Sequence, residues 1–310
     1  MTSSLAVSTW GPITFFKKFA RSVIPERYRK TWRTWKASTA VAMVVRAGPL
    51  IPLYRLFEVK RAFERINRLD YLQEEIFLVA NSEVEVGRAY ACAKEPETVK
   101  WIETFVRPGE VMYDVGANVG AYSFIAYKVA KGDIKIFAFE PGYMTFPSLV
   151  QNIGLNKAQD NICALPVALS NETGIVVLNY SSLDSGSASH LLGSTTEEVA
   201  ARETIPPVFK QPVLTYCLDE LVKQFALPIP NHIKIDVDGT EYCVLDGARE
   251  ILASSQLRTV LVEVDENEQK ANQISALLEQ NRFSLLSKYQ HAGGTIYNYI
   301  FTRLGDAFQI

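Results

Sequence analysis

The sequence predicts an α/β fold in which a mostly parallel sheet is finished by an antiparallel hairpin. Three observations carry that expectation. Strand-like runs at 111–115, 134–139, 162–168, 232–237 and 258–264 alternate with helix-like runs near 119–131, 143–156, 240–253 and 266–281. Strand–helix–strand alternation builds parallel sheets through right-handed crossovers. The chain then closes on "FSLLSKYQ" and "TIYNYIFTR", separated by "HAGG", which is hairpin spacing. Glycines stand at the first strand-to-helix turn, in "DVGANVGAYS", where backbone approaches ligands in such folds.

In chain order, residues 1–80 read as a basic, mainly helical extension. Pro25 suits the first turn of a helix through "ERYRKTWRTWKASTAVAMVV", and Gly48-Pro49 stops it. "FEVKRAFERINRLDYLQEEI" gives a further helix. Residues 81–310 read as the main domain. Within it, 84–90 reads as a short strand, and "EPETVKWIETF" as a helix ended by Pro108-Gly109. "GIVVLNY" (174–180) adds a strand. The polar, Ser/Thr-rich stretch 181–212 reads as a lid or an insertion, since loops this long are uncommon in compact domains.

Charge divides the chain in the same way. Residues 1–70 hold 14 Lys/Arg against 4 Asp/Glu, and the remainder 18 against 30, so a basic segment is joined to an acidic body. The net charge of −2 gives no general case for nucleic acid. Cys92, Cys163, Cys217 and Cys243 are far apart, with no CxxC; they read as reduced core or near-core thiols, which favours a cytoplasmic setting. No secretory signal is expected. The apolar run Ala37–Val45 falls short of the roughly 20 residues a membrane span needs. Trp10, Phe15, Phe16, Phe19, Trp32 and Trp35 lie among eight Lys/Arg between residues 17 and 36. Such a segment is expected to dock on the main domain or a second subunit, as in a homodimer; peripheral contact with a membrane interface is the alternative.

The glycine turn discriminates between ligands. A dinucleotide fingerprint wants G-x-G-x-x-G after the strand. Here Gly116 is followed by Asn118 and Ala121 at the second and third glycine places, with Gly120 between them. Asp114 at the strand tip would repel a pyrophosphate, yet it suits the amino group of S-adenosylmethionine. Glu140, 20 residues after Gly120, ends the next strand ahead of Pro141, where a carboxylate accepts both ribose hydroxyls of either ligand. The third strand ends "PVALSNE" without an acid, so backbone near Val167 and Ala168 is expected to hold adenine. An open parallel sheet with an antiparallel hairpin is also the class I methyltransferase arrangement, Rossmann-like but without a separate substrate domain.

"DVGANVGAYS", "FEP", "LDEL" at 218–221 and "IKIDVDGTEYCVLDGA" at 233–248, in that order, resemble the FkbM family of S-adenosylmethionine-dependent methyltransferases. The resemblance extends over roughly residues 95–300 and leaves the N-terminal segment outside. It implies O-methylation of a hydroxyl on a sugar, glycolipid or polyketide-type natural product. The chain departs from the pattern in two places. Asp238 stands where the family usually has glutamate, and "VEVDEN" puts Asp265 near the place of a histidine that often follows the fifth-strand glutamate.

Methyl transfer is an in-line displacement, for which the protein supplies alignment, dehydration and sometimes a base. Lys234, Asp236 and Asp238 share one face of an extended strand. Asp236 is expected to face the methyl, taking the acceptor's proton or, with Glu263, holding a magnesium ion; nothing in the sequence requires the metal. Asp238, Glu241 and Glu263 are the further catalytic candidates. For Asp238 and Glu241, turn formation and helix capping are the competing roles. His190, in the expected lid, is a base or a solvated loop residue. A nicotinamide-dependent oxidoreductase and a non-catalytic assembly or membrane-docking module remain the alternatives.

Overall fold

The computed structural model describes residues 66–187, 191–193, 207–267, 270–291 and 294–305. The chain divides into two compact units, 1–63 and 64–310. The helix expected after Pro25, with the segment's docking or membrane contact, lies outside the described residues, as does His190. The further helix expected over 57–76 is not formed in its described part, where 66–68 is a strand and 69–76 hold bends and irregular backbone.

The second unit begins with a short antiparallel hairpin, β1 (Ile66–Arg68) and β2 (Phe77–Val79). Its Leu69, Tyr71, Ile76 and Leu78 are buried in one apolar cluster with Trp101, Ile102 and Phe124. Fully burying a large apolar side chain stabilises by about 1.5–3 kcal/mol, so the hairpin is part of the main body, and the boundary expected at 80/81 falls inside it. Where a strand was expected over 84–90, the chain forms helix α1 (Glu83–Arg88). Ser82 caps it, its side chain accepting the Glu85 N–H at 3.0 Å, and Glu83 and Glu85 lie in the first turn, where the helix dipole favours acids. These end signals outweigh the alternation of Val84 and Val86. Next come α2 (Ala91–Lys94) and α3 (Pro96–Phe105), the latter starting on proline and burying Val99, Ile102 and Phe105.

The alternating half follows as β3 (Glu110–Val115), α4 (Ala121–Val129), β4 (Ile134–Phe139), α5 (Phe146–Leu155) and β5 (Ile162–Leu165). The strand expected over 162–168 stops at Leu165, because Pro166 has no N–H for a ladder. The chain resumes in a second sheet as β6 (Ala168–Ser170), β7 (Gly174–Tyr180), β8 (Leu191–Gly193) and β9 (Phe209–Cys217), in the order β6-β9-β7-β8. The stretch expected as a single lid or insertion is therefore divided. Residues 191–193 and 209–212 join a ladder on β7, residues 181–187 form a pinned loop described below, and 188–190 and 194–206 lie outside the described residues.

The remaining elements are α6 (Leu218–Phe225), β10 (His232–Ile235), α7 (Glu241–Asp246), α8 (Arg249–Ala253), β11 (Thr259–Asp265), α9 (Ala271–Gln280), β12 (Phe283–Gln290) and β13 (Ile296–Arg303). The helix expected over 240–253 is two helices. At Gly247 a side chain would lie 2.1 Å from the Ser170 carbonyl oxygen, so only glycine fits under β6. Asp219, from "LDEL", caps α8 by accepting the Glu250 and Ile251 N–H groups at 2.8 and 3.0 Å. The main sheet has the order β12-β13-β11-β10-β3-β4-β5, with β13 the one antiparallel strand. This is the class I methyltransferase arrangement, closed by the expected hairpin, with apolar clusters on both faces. All four cysteines are free, but Cys163 is exposed on the β5 edge rather than in or near the core. No described helix is long and apolar enough to cross a membrane.

Candidate active site

Strand order reverses at β3, with β10 on one side and β4 on the other. At such a switch point the loops leaving neighbouring strands diverge, and a ligand crevice opens beyond their carboxyl ends. A cavity of about 350 Å³ lies there, within the common range of roughly 300–1,000 Å³ for ligand pockets.

The glycine turn after β3 forms one wall. Gly116 has φ 78° and a side chain there would fall 1.8 Å from the Asp236 carbonyl oxygen, so β3 and β10 approach each other backbone to backbone. Asn118 adopts φ 51°. Its side-chain amide donates to the Gly186 and Ser187 carbonyls at 3.3 and 3.2 Å, pinning the 181–187 loop over the cavity. Ser82 and Arg88 hold the same loop through the carbonyls of Ser185 and Gly186, at 2.9 Å each. Gly120, at φ 90°, starts α4 where a side chain would meet Leu149 and Phe124 at 2.7 and 2.8 Å.

Glu140 lines the cavity at the end of β4, as expected, with Pro141 beside it. Its carboxylate accepts the Asn118 N–H at 3.0 Å and the Gly142 N–H at 2.8 Å. Two of its roughly four acceptor directions remain for a ligand. Burial pushes this carboxyl up to about 7, against the pull of those two amides. Phe139, Val167, Ala168 and Leu178 supply an apolar slot next to it.

Asp114 does not reach the cavity wall. It is fully buried, accepts the Ser123 hydroxyl at 2.6 Å, and lies 3.8 Å from the Lys234 ammonium; its second oxygen, Oδ1, has no hydrogen bond. Burial raises it, and Lys234 and Ser123 only partly offset that. Lys234 is also buried, and donates to Asp236 at 3.0 Å. Burial works against its charge, but Asp236, Asp114 and Glu95 outweigh that and keep it protonated. Asp236 does line the cavity. Burial alone would raise its carboxyl, yet the Lys234 charge and hydrogen bond hold it below the usual carboxylate range.

Asp238 and Glu263 share the wall with Asp236, whereas Glu241 does not. Asp238 and Gly239 are both left-handed, at φ 57° and 99°. Glu241 holds that turn, accepting the Val237 and Gly239 N–H groups at 3.2 and 3.0 Å. Glu263 is pushed up to about 9, first by burial and then by the Asp236, Glu241 and Asp238 carboxylates. Among the described residues, no group of three or more His, Cys, Asp or Glu is arranged to hold a metal. The magnesium expected between Asp236 and Glu263 finds no support, since Asp236 is already paired with Lys234.

Three titratable wall residues were not identified from the sequence: Arg88, Lys94 and His291. Arg88 comes from the helix misread as a strand. His291 follows β12, whose direction matches the parallel strands because two antiparallel pairings separate it from β11. The hairpin turn must therefore lie at the carboxyl edge, beside the cavity. That topological signal was present in "QHAGG".

Residues 114–285 match the methyltransferase FkbM domain. The chain belongs to the FkbM methyltransferase family. Similar proteins include hexuronic acid methyltransferase AglP of Haloferax volcanii, 28% identical over 58% of this chain and 66% of that one, just under two thirds. The 31-O-demethyl-FK506 methyltransferase FkbM of Streptomyces tacrolimicus is 24% identical over 59% of this chain and 76% of its own. A solved FkbM methyltransferase from Methylobacillus flagellatus is 14% identical with TM-score 0.45, covering 71% of this chain and 52% of that one.

Proposed function

We propose that the protein is an S-adenosylmethionine-dependent O-methyltransferase acting on a hydroxyl of a sugar, glycolipid or other natural product. One observation carries the reading: a single cavity joins a donor cradle, made by Gly116 and Glu140, to an ionised acid, Asp236. The relatives named for hexuronic acid and for 31-O-demethyl-FK506 support the acceptor class.

Glu140 would accept the ribose hydroxyls. The Phe139–Val167–Ala168–Leu178 slot would take the adenine, and the Gly116 backbone would let the donor lie close to β3. When bound, S-adenosylmethionine supplies a methyl group on a positively charged sulfur. Asp236 accepts a hydrogen bond from a hydroxyl beside the reacting one and so holds the reacting oxygen with a lone pair toward that methyl, which is the alignment term of the catalysis. Glu263, neutral near pH 7, donates rather than accepts and so ranks behind Asp236. Asp114 acts through Lys234, as a positioning residue. Glu241 shapes the turn that carries Asp238.

The test is incubation with methyl-labelled S-adenosylmethionine and methyl glycosides of glucuronic and galacturonic acid, alongside calorimetry with S-adenosylmethionine and a nicotinamide dinucleotide. The expected product carries label that survives alkali, as a methyl ether does and a methyl ester does not. Label released by alkali, or calorimetric binding of the nicotinamide dinucleotide alone, overturns the reading.

A further inference from the structure

A hydroxyl that receives a methyl must lose its proton, and Asp236 is a weak base because Lys234 already stabilises its charge. The cavity wall holds a better placed group. His291, in the β12–β13 turn, presents Nδ1 toward Glu263 at 3.9 Å and Nε2 toward Glu97 at 3.7 Å. Nε2 is buried without a hydrogen bond. His291 and Glu263 line the cavity, while Glu97, on α3, lies behind the imidazole and is buried. Asn298 of β13 fixes Glu97, donating to its Oε1 at 2.9 Å. The order Asn298–Glu97–His291–cavity is that of a buried amide, an acid, an imidazole and a reacting group. Catalytic imidazoles are commonly oriented this way by a carboxylate behind them.

We propose that His291 is the general base of the methyl transfer, taking the acceptor's proton at Nδ1, and that Glu97 is the positioning residue that stabilises the resulting imidazolium. The inference rests on the O-methylation reading. The acceptor oxygen forms its bond to the methyl carbon as the sulfur–methyl bond breaks and its electron pair returns to sulfur. The acceptor's O–H pair stays with oxygen, and the proton passes to His291. A carboxylate on the far side of the ring orients the imidazole without competing for the substrate, because Glu97 does not reach the cavity. Both contacts exceed hydrogen-bond length, as is common for catalytic groups before substrate tightens the site.

His291→Ala, His291→Gln and Glu97→Gln in the full chain test this, using the labelled donor with the methyl glucuronide. Both His291 variants are expected to lose about 10²–10⁴-fold in kcat, with melting temperature and S-adenosylhomocysteine affinity unchanged. Added imidazole is expected to restore part of the turnover of His291→Ala, where it finds space, and none of His291→Gln, where the amide fills the space. Glu97→Gln is expected to lower kcat with the donor KM unmoved. Wild-type kcat in both His291 variants overturns the assignment while leaving the O-methylation reading intact. So does a loss in His291→Ala that imidazole does not repair.

Discussion

Lys234→Met is expected to destabilise the protein and to move the pH dependence of methyl transfer. The ammonium lies 3.0 Å from Asp236 Oδ2 and 3.8 Å from Asp114 Oδ1, with side-chain exposures of 2%, 27% and 1% for Lys234, Asp236 and Asp114. Methionine keeps the volume and removes the charge, which leaves two carboxylates facing each other with little water. Breaking a buried pair by deleting one partner costs about 3–5 kcal/mol. The sign follows from Asp236. Its folded-state carboxyl is depressed, so it contributes stability above the ordinary aspartate range that is lost as pH falls through its folded value. The cost of Lys234→Met should therefore be largest near neutral pH and shrink toward pH 3, as the two acids of the variant, without their cation, take up protons. Urea melts at the two pH values measure this directly. In the same variant, Asp236 feels burial without its cation, so the acidic limb of turnover shifts to higher pH. A double variant with Asp114→Asn should recover part of the stability. A loss below about 1 kcal/mol at pH 7, the range of an exposed ion pair, together with an unmoved limb, would refute the charge-pair account.

Glu140→Gln is expected to weaken S-adenosylmethionine binding by about 10- to 150-fold, because hydrogen bonds to charged groups are worth roughly 1.5–3 kcal/mol. In the wild type, binding should strengthen between pH 6 and 8 as a carboxyl held near 7 ionises; calorimetry at both values checks the slope, which the variant should lack. Glu263→Gln removes a group whose ionisation the fold opposes up to about 9. Its folded value is raised, so its contribution to stability is lost as pH climbs from the ordinary glutamate range toward 9. The melting temperature of the variant relative to wild type should therefore rise from pH 6 to pH 9. Gly116→Ala combines a left-handed backbone with a contact of 1.8 Å to the Asp236 carbonyl. The backbone term alone is about 1–2 kcal/mol, and the clash must move β3 from β10, so donor affinity and melting temperature should fall together.

The sheet was legible because each strand and helix carried its own apolar period and its own stops. The glycine turn, Glu140, Asp236 and Glu263 were legible because strand ends in a parallel sheet converge on one edge. The second sheet was not, since its strands flank a polar stretch and pair across it: β7 joins β9 from Gly174↔Thr215 to Tyr180↔Phe209. Sequence spacing also assigned Asp114 to the ligand. In the folded chain Asp114 accepts from Ser123 and lies 3.8 Å from Lys234, and neither contact follows from spacing along a strand. Glu241 presented the same ambiguity, and spacing along the chain does not foretell its two bonds to the Asp238 turn.

The buried lysine also explains how neighbouring strands supply acids of different character. Asp236 follows β10 and Glu263 lies on β11, and both face the same cavity. Were both ionised, their repulsion in a poorly solvated site would oppose each charge; two titratable groups so placed separate in pKa. Lys234 decides which one ionises, because its ammonium donates to Asp236 at 3.0 Å. Asp236 thereby becomes the fixed anion, and Glu263, raised by that same anion, becomes the neutral donor. Swapping the cation should swap the roles: Lys234→Met is expected to let Glu263 ionise at lower pH, as the Asp236 charge that raises it is lost. Carboxyl NMR titration of Glu263 in the variant reads this, and an unmoved Glu263 would show that burial alone, not Asp236, holds it neutral.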